Sequence, residues 1–556
     1  MAHLKIGLII LYLLSAYDYY LERLEAMGWG LGSVLYLSVF AVLFAALLLG
    51  AFIRPRMLRY TYALAFFLAA VFFEAHRQIT ADYLTYSGFV SLLHSQAFIG
   101  DALQQFSSSI LPAVGSGLLL LLGIGLKPTP ATRVPLWLSA GAPIAGVLLL
   151  SAILFMRGGE GARGLPMMFT PLTYLNLYTY EALQNTVGPR QPVTLARGGK
   201  NIDYNIVLII DESVSGHYLD INSEHGVYSG LKRSPEGVAI YNYGYAASIA
   251  NCSADTNVTL RYGGTRDDYL RINTTMPSIW QYARNAGLRT VYIDAQRTGG
   301  HLQNLMTRDE QREIDLFIQF EDVAVRDRDM AVVDKLVEVL DNAIPSLVII
   351  NKVGAHFPVH DKYPDSFMRY QPALPRGRYT HITDTGERDG FDGSAADWQR
   401  YRNAYKNALL WNVGEFFARL FSRADLSKTV VLYTSDHGQD LHERGNPGLN
   451  THCGGDPVVE EGLVPLVVMQ GRELQTLDWE AELAGNRNRS SHYNLFPTLL
   501  HLLDYDLPGL QQLYGNPLSV HTEDDFTFNT RFNARLGEKP TWKRIDLDEV
   551  VVPQVH

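Results

Sequence analysis

Clusters of polar residues lie beside several apolar runs in the second half of the 556-residue chain, where strands of a buried sheet are expected to end. They are Asp211-Glu212-Ser213, Asn351 to His356, Ser435-Asp436-His437-Gly438 and Thr451-His452-Cys453. Carboxylates combined with imidazoles suit Zn²⁺, and Mn²⁺ is also compatible with them. One such cluster is commonly a cap or a hydrogen-bonded pair. Four of them at strand ends predict a metal centre.

A second feature with chemical potential is a run of small and hydroxyl residues, 248–259, which follows the strand-like segment 238–245 and enters a predicted helix. A hydroxyl at a helix N-terminus beside a divalent metal is an activated nucleophile, and the helix N–H groups can bind phosphate. Taken alone, the run is more typical of a helix cap or a turn. Arg297 and Lys352, which also follow predicted strands, are candidate phosphate contacts, although ordinary loop positions explain them equally well.

The elements that position these residues alternate between strands and helices. Continuous apolar runs, typical of strands buried on both faces, occur at 206–210, 290–293, 346–350, 429–433 and 464–469. Helical stretches lie between or after them at 278–286, 331–343, 395–421 and 492–503. The pattern predicts an α/β domain, 205–556, with a mainly parallel central sheet and a site beyond the carboxyl ends of its strands.

Residues 1–156 are apolar in blocks and predict a transmembrane domain of five helices. The predicted spans are 6–20, 30–53, 57–73, 103–126 and 134–156; the first and third are short enough to be buried or interfacial helices instead. With a cytoplasmic N-terminus, the cytoplasmic segments hold six basic residues against two outside, so the α/β domain should face outward. The connector, 157–204, contains an amphipathic stretch at 171–183, suited to the membrane surface or to packing on the outer domain.

Composition excludes several classes of protein. Hydrophobic residues make up 47% of the chain and charged residues 19%, which excludes a disordered chain. Two cysteines exclude a disulfide-dense scaffold and a four-cysteine zinc module. The net charge of −10 argues against nucleic acid as a partner.

The ordered motifs resemble those of the alkaline phosphatase/sulfatase superfamily, and more closely those of the bacterial membrane phosphoethanolamine transferases, which include lipid A-modifying and colistin-resistance enzymes. The motifs are Glu212 after the first strand, Cys252-x-x-x-Thr256, Gly354-x-His356-x-Pro358, Ser435-Asp436-His437-Gly438 and the later His452. The resemblance implies that Glu212, Thr256, Asp436 and His437 bind zinc and that Thr256 is the nucleophile. It also implies that His356 and His452 serve the substrate or a second zinc ion.

The same resemblance implies a multi-pass protein of the bacterial inner membrane, with its C-terminal domain in the periplasm. The expected reaction moves phosphoethanolamine from a phospholipid, with phosphatidylethanolamine as the expected donor, to an envelope glycan or glycolipid through a phospho-threonine intermediate. Three alternatives stay open: a glycerophosphate transferase, a phosphodiesterase or sulfatase-like hydrolase, and a catalytically inactive membrane-anchored interaction protein. The hydrolase that uses formylglycine is disfavoured because the Cys/Ser-x-Pro-x-Arg signature is absent around Cys252.

The sequence also departs from the family pattern. The family's second cysteine after the nucleophile is replaced by Arg261-Tyr262-Gly263-Gly264, and the insertion 369–397, rich in Arg, Asp and Gly, does not match the family pattern. Cys252 and Cys453 both neighbour proposed site residues, and a disulfide between them would need Cα atoms within roughly 7 Å. Proximity to a site does not fix cysteine geometry, so separate thiols are the expectation.

Overall fold

The computed structural model describes residues 2–80, 83–94, 106–129, 134–157, 159, 161–184, 189–375, 393–530 and 540–553. The chain forms two compact units. The first comprises Met1–Asn185 and Pro447–Asn450; the second comprises Thr186–Asn446 and Thr451–His556. The division falls inside the predicted connector 157–204. Within the insertion 369–397, residues 376–392 lie outside the described ranges.

The first unit is helical. Its helices are α1 (Ala2–Leu14), α2 (Tyr17–Met27), α3 (Leu31–Gly50), α4 (Arg56–Thr80), α5 (Tyr86–His94), α6 (Ser107–Gly125), α7 (Leu136–Met156) and α8 (Thr170–Gln184). Helices α3, α4 and α7 are long and apolar enough to cross a membrane, and α1 with α2 passes the same test as a single span bent by 58°. The apolar part of α6, Ile110–Gly125, is shorter, and residues 103–105 of that predicted span lie outside the described ranges. The described residues therefore support three or four of the five predicted spans.

Helix α8 contains the predicted amphipathic stretch 171–183. Its Tyr174 ring lies 5.5 Å from the ring of Tyr86 in α5, and the Asn176 amide donates a hydrogen bond of 2.9 Å to the Ser151 hydroxyl in α7. One face of α8 therefore packs on helices of the first unit.

The second unit is built on a mixed sheet of eight strands in the order β4-β3-β5-β1-β6-β7-β2-β8. The strands are β1 (Asn205–Asp211), β2 (Val238–Ala247), β3 (Arg289–Asp294), β4 (Leu316–Gln319), β5 (Ser346–Asn351), β6 (Thr429–Ser435), β7 (Leu463–Gly471) and β8 (Ser490–Ser491); β9 (Thr527–Asn529) and β10 (Trp542–Arg544) form a separate pair. Among the described strands of the eight-stranded sheet, β7 is antiparallel to its neighbours β6 and β2, and the other pairings are parallel. The predicted mainly parallel sheet is confirmed.

Helices lie between and after these strands, as the alternation predicted. They are α9 (Ser253–Tyr262), α10 (Tyr269–Thr275), α11 (Ile279–Asn285), α12 (Arg308–Gln311), α13 (Arg328–Asp341), α14 (Ala395–Leu409), α15 (Phe416–Arg423), α16 (Leu483–Asn486), α17 (Leu495–Leu502) and α18 (Leu507–Tyr514). A π-helical segment, Leu410–Glu415, joins α14 to α15, so the predicted helix 395–421 is almost continuous.

The strand directions decide where the polar clusters meet. Asp211 pairs with Ser435, and Ile210 pairs with Asn351, so β1, β5 and β6 end at one edge. Strand β7 is antiparallel to β6, so the chain that enters β7 arrives at the same edge. The fully buried apolar strands thus bring all four predicted clusters to one end of the sheet.

Candidate metal centre

Three side chains at the ends of β1 and β6 converge on one point. Potential ligand atoms of Glu212, Asp436 and His437 all lie within 4.8 Å of one another. Glu212 and Asp436 are each 1% exposed and His437 is fully buried. Because β1 and β6 pair in parallel and end together, the residues that follow them leave the sheet side by side. The structure therefore brings together three of the four predicted metal ligands.

Burial dominates the electrostatics of this cluster, because a low-dielectric environment disfavours charged groups. Burial raises the pKa of Glu212 to about 8, and the neighbouring Asp436 carboxylate adds to the shift. Burial also raises the pKa of Asp436 to about 6 and lowers that of His437. Two buried carboxylates beside a neutral imidazole form a site that a divalent cation would stabilise.

The unsatisfied atoms fit such an ion. Asp436 Oδ1 accepts hydrogen bonds from the backbone N–H groups of Ser213 (3.0 Å) and His437 (2.8 Å), whereas Oδ2 is buried with no hydrogen-bond partner among the described residues. His437 Nδ1 lies 2.7 Å from the Gly438 carbonyl, which can only accept, so Nδ1 carries the proton. The Nε2 lone pair then faces Glu212 Oε1 at 3.5 Å. A free carboxylate oxygen and an oriented imidazole match zinc coordination.

Two hydroxyls near the start of α9 occupy different surroundings. Ser253 is half-buried, and its Oγ lies 3.1 Å from Glu212 Oε2 and 3.2 Å from His437 Nε2. Thr256 is 0% exposed, and its Oγ1 lies 3.3 Å from both the backbone N and the carbonyl O of Ala250. The run 248–259 gave no signal that distinguishes these hydroxyls. The role assigned to Thr256 by resemblance stays a prediction.

The two predicted histidines come close to the cluster. The His452 ring lies 4.5 Å from that of His437, with the planes 28° apart, and 6.3 Å from the Phe357 ring beside His356. Burial lowers the pKa of His356 to about 3; burial lowers the pKa of His452 as well, and neighbouring His437 and His356 add to that shift. Neutral imidazoles can bind a metal or hydrogen-bond a phosphate, but both roles stay predictions.

The candidate phosphate contacts have internal partners. Lys352 is fully buried, and its Nζ lies 2.7 Å from Asp211 Oδ2 and 3.8 Å from Asp329 Oδ2. This placement argues against a phosphate contact, because the ammonium group already faces two carboxylates of the same chain. Arg297 Nε donates to Gln303 Oε1 at 2.8 Å, and its role stays a prediction.

Gln296 is a site residue that sequence reasoning did not single out. Its Nε2 donates to Glu212 Oε2 at 3.2 Å and to the Lys352 carbonyl at 2.7 Å. The residue follows β3 closely, so its place after a predicted strand was the available signal. Gln296 orients the Glu212 carboxylate from the side opposite its sequence neighbour Ser213, which donates to Oε1 at 2.7 Å.

Cys252 and Cys453 form a disulfide with their Cα atoms 5.0 Å apart, so the expectation of separate thiols is wrong. The physical reason is the antiparallel pairing of β2 with β7, in which Ala247 faces Leu463. Segments that leave β2 and enter β7 meet at one edge, where the Cys453 N–H donates to the Asn251 carbonyl at 3.0 Å. The bridge connects the start of α9 to the residue after His452.

The second unit combines a mainly parallel sheet with a buried acidic site beyond the strand ends. Comparison with known proteins identifies the family that shares this architecture. The Sulfatase family matches residues 204–505, more than half of the chain. The chain belongs to the Sulfatase family. The predicted alkaline phosphatase/sulfatase-like character of the second unit is confirmed.

Particular relatives carry the resemblance further. A segment of 173 residues is 24% identical to the Kdo(2)-lipid A phosphoethanolamine 7''-transferase of Salmonella typhimurium, and one of 196 residues is 26% identical to that of Escherichia coli. These segments span 29% and 32% of this chain and only 27% and 30% of the relatives. The integral membrane lipooligosaccharide phosphoethanolamine transferase A from Neisseria meningitidis superposes with a TM-score of 0.61 at 16% identity, covering 89% of this chain and 95% of that one. That likeness shows a shared fold, and the resemblance to membrane phosphoethanolamine transferases is confirmed.

Proposed function

We propose that the chain is a metal-dependent inner-membrane enzyme that transfers phosphoethanolamine from a phospholipid, with phosphatidylethanolamine as donor, to an envelope glycan or glycolipid. The observation that carries the proposal is the buried cluster of Glu212, Asp436 and His437, which faces a hydroxyl at the start of α9. The activity named for the two matched relatives, phosphoethanolamine transfer to Kdo(2)-lipid A, supports the transferred group and the class of acceptor.

The proposed reaction has two steps, and in each step one oxygen substituent on phosphorus replaces another. Zinc held by Glu212, Asp436 and His437 supplies positive charge that favours ionisation of the hydroxyl and offsets the charge of the phosphate. The hydroxyl oxygen forms a bond to the donor phosphorus while the bond from phosphorus to the glyceryl oxygen breaks. The hydroxyl proton ends on that oxygen, and diacylglycerol leaves. In the second step the acceptor hydroxyl oxygen forms a bond to the same phosphorus while the bond from phosphorus to the residue's oxygen breaks. The acceptor's hydroxyl proton ends on the residue's oxygen, which restores the free hydroxyl.

Other residues of the chain supply positioning. The His452 ring lies 4.5 Å from that of His437. His356 and His452 serve the phosphate oxygens, a departing oxygen or a second ion. The first N–H groups of α9 point out of the helix and suit phosphate oxygens. The resemblance assigns the nucleophile to Thr256, whereas the observed contacts favour Ser253.

A periplasmic location is the remaining part of the proposal. Basic residues are concentrated in the predicted cytoplasmic segments, which directs the second unit outward. The Cys252–Cys453 disulfide agrees with an oxidising compartment, because such bonds persist in the periplasm and are rare in the cytosol. A membrane-embedded first unit also suits an enzyme whose donor is a lipid.

Head-group release tests the proposal directly. Full-length protein in detergent is loaded with zinc and given phosphatidylethanolamine labelled in its acyl chains, with phosphatidylglycerol as a parallel donor. We expect labelled diacylglycerol from the first donor only, with loss on chelation and recovery on adding zinc. Asp436→Asn is the matched inactive variant.

The other outcomes identify the alternatives. Release from phosphatidylglycerol alone would indicate glycerophosphate transfer. Free phosphoethanolamine, produced at the same rate with and without a lipid A acceptor, would indicate a phosphodiesterase. Absence of both metal binding and head-group release would indicate an inactive interaction protein.

A further inference from the structure

We propose that Ser253, and not Thr256, is the hydroxyl that attacks the donor phosphorus and carries the phosphoethanolamine group. The inference rests on the proposed function, which it deepens by naming the residue. Ser253 is the first residue of α9, directly after Cys252, while Thr256 lies one turn later. At about 1.5 Å per residue, the two positions differ by roughly 4.5 Å along the helix axis.

Distances separate the two candidates. Ser253 Oγ lies 3.1 and 3.3 Å from the two oxygens of Glu212 and 3.2 Å from His437 Nε2, the atoms expected to bind the ion. A cation held by those atoms would lie within reach of the same hydroxyl. A nucleophile must touch the group that activates it, and Ser253 does so without any change of backbone.

Thr256 has the contacts of a structural residue. Its Oγ1 is 3.3 Å from both the backbone N and the carbonyl O of Ala250, in the loop that leads from β2 to α9. The side chain is fully buried, so a lipid phosphate cannot reach it without displacement of its neighbours. Ser253, in contrast, is only partly buried.

Three contacts fix the chain just before Ser253. They hold the start of α9, and therefore the Ser253 hydroxyl, in one position. Cys252 is bonded to Cys453, the Asn251 carbonyl accepts from the Cys453 N–H at 3.0 Å, and Asn251 Nδ2 donates to Glu461 Oε2 at 2.8 Å. No side chain caps α9 among the described residues. Its first-turn N–H groups are therefore available to the oxygens of a phosphate attached to Ser253.

Mapping of the covalent adduct tests the inference. Zinc-loaded full-length protein is incubated with phosphatidylethanolamine without an acceptor, quenched in acid, reduced and digested, and the peptide that contains both hydroxyls is fragmented in a mass spectrometer. We expect the added phosphoethanolamine on Ser253. The adduct should be absent from Ser253→Ala and present on residue 253 in Ser253→Thr, in Thr256→Val and in the control Thr259→Val, which removes another hydroxyl of α9.

A metal titration gives a readout that does not depend on turnover. Removal of an oxygen that faces the ion should weaken zinc binding to metal-free Ser253→Ala by about tenfold, while Thr256→Val should bind as the wild type does. Equal thermal unfolding of the metal-free variants would exclude misfolding as the cause.

The failures of the two proposals are distinguishable. An adduct found on Thr256, lost in Thr256→Val and retained in Ser253→Ala, would overturn the assignment to Ser253 and leave the proposed function intact. Diacylglycerol release with no adduct on either hydroxyl would overturn the covalent step and, with it, the assignment. Absence of donor cleavage in the wild type would overturn the proposed function itself.

Discussion

Two buried acidic clusters lie side by side at the same edge of the sheet, and the chain supplies a cation to only one of them. Asp211 ends β1 and faces Lys352, which also approaches Asp329. Glu212, the next residue, faces Asp436 and a histidine whose pKa is lowered by burial. We call Asp211, Asp329 and Lys352 the inner cluster, which has its cation within the protein. Glu212, Asp436 and His437 form the outer cluster, in which a buried carboxylate oxygen has no hydrogen-bond partner among the described residues.

The pKa shifts express the same difference. Burial raises the pKa of Asp211, and the Lys352 ammonium opposes that rise. Burial raises the pKa of Glu212 to about 8, and there the Asp436 carboxylate adds to the rise. A buried carboxylate with a fixed cation stabilises a fold, whereas one beside another carboxylate indicates an external cation. The inner cluster should therefore be structural and the outer one functional.

The largest expected loss of stability comes from a substitution that disrupts the inner cluster. Lys352→Met leaves Asp211 and Asp329 buried without their cation and should lower the free energy of unfolding by about 3–5 kcal/mol. Thermal unfolding of the full-length protein in detergent, followed by intrinsic fluorescence, measures the change. Added zinc should stabilise the variant and the wild type equally, so the difference between them should persist, because the outer cluster is unaltered.

The control is the exposed pair formed by Lys335 and Glu338 on α13, with Nζ to Oε2 at 2.8 Å. Lys335→Met should cost less than about 1 kcal/mol, because solvent screens exposed charges. Equal losses in Lys352→Met and Lys335→Met would contradict a structural role for the inner cluster.

The difference between the clusters also shows how far sequence reasoning reaches. Apolar strands followed by polar residues predicted the sheet, its mainly parallel pairing and the convergence of Glu212, Asp436 and His437. The pattern did not separate Lys352 from the phosphate-binding candidates, because the partner Asp329 lies on α13 and only the packed fold brings it to the strand end. Likewise, the choice between Ser253 and Thr256 depends on where the first turn of α9 begins.

The next prediction concerns the disulfide, which should affect the outer cluster. Cys252→Ser combined with Cys453→Ser opens a bridge that spans 201 residues and should lower the free energy of unfolding by about 2–4 kcal/mol. Zinc affinity should fall in the same variant, since the bridge fixes the start of α9. Unchanged affinity, measured by competition with a chromogenic chelator, would show that the outer cluster holds its geometry without the bridge.

Zinc itself should stabilise only through the outer cluster. At 100 times the dissociation constant, zinc should raise the free energy of unfolding of the metal-free protein by about 2.7 kcal/mol. Asp436→Asn should abolish this gain, while Asp329→Asn in the inner cluster should retain it. A zinc gain that persists in Asp436→Asn would place the ion elsewhere.

The pH dependence of the metal-free protein follows from the raised pKa of Glu212. The folded state holds the proton up to about pH 8, above the ordinary pKa of 4.5, so it binds protons more tightly than the unfolded chain in that window. Below about pH 6.5 the buried histidines His356 and His492, whose pKa values burial lowers, act in the opposite direction. Stability should therefore fall as pH rises from about 7 to 8, where those histidines no longer titrate, and the slope should be flatter when zinc is bound. Thermal unfolding across this range, with and without zinc, measures both slopes. A rise in metal-free stability over the same window would contradict the assignment.

The smallest expected effect concerns Gln296, whose amide touches both clusters by donating to Glu212 Oε2 and to the Lys352 carbonyl. Gln296→Leu should weaken zinc binding by about tenfold, or about 1.4 kcal/mol, because hydrogen bonds behind a ligand fix its orientation. The control is Gln319→Leu, which removes an amide that donates to Asp294 Oδ2 at 2.9 Å and should bind zinc normally. Equal affinity in both variants would mean that Glu212 is oriented without Gln296, and that the hydrogen bonds of Gln296 do not couple the two clusters.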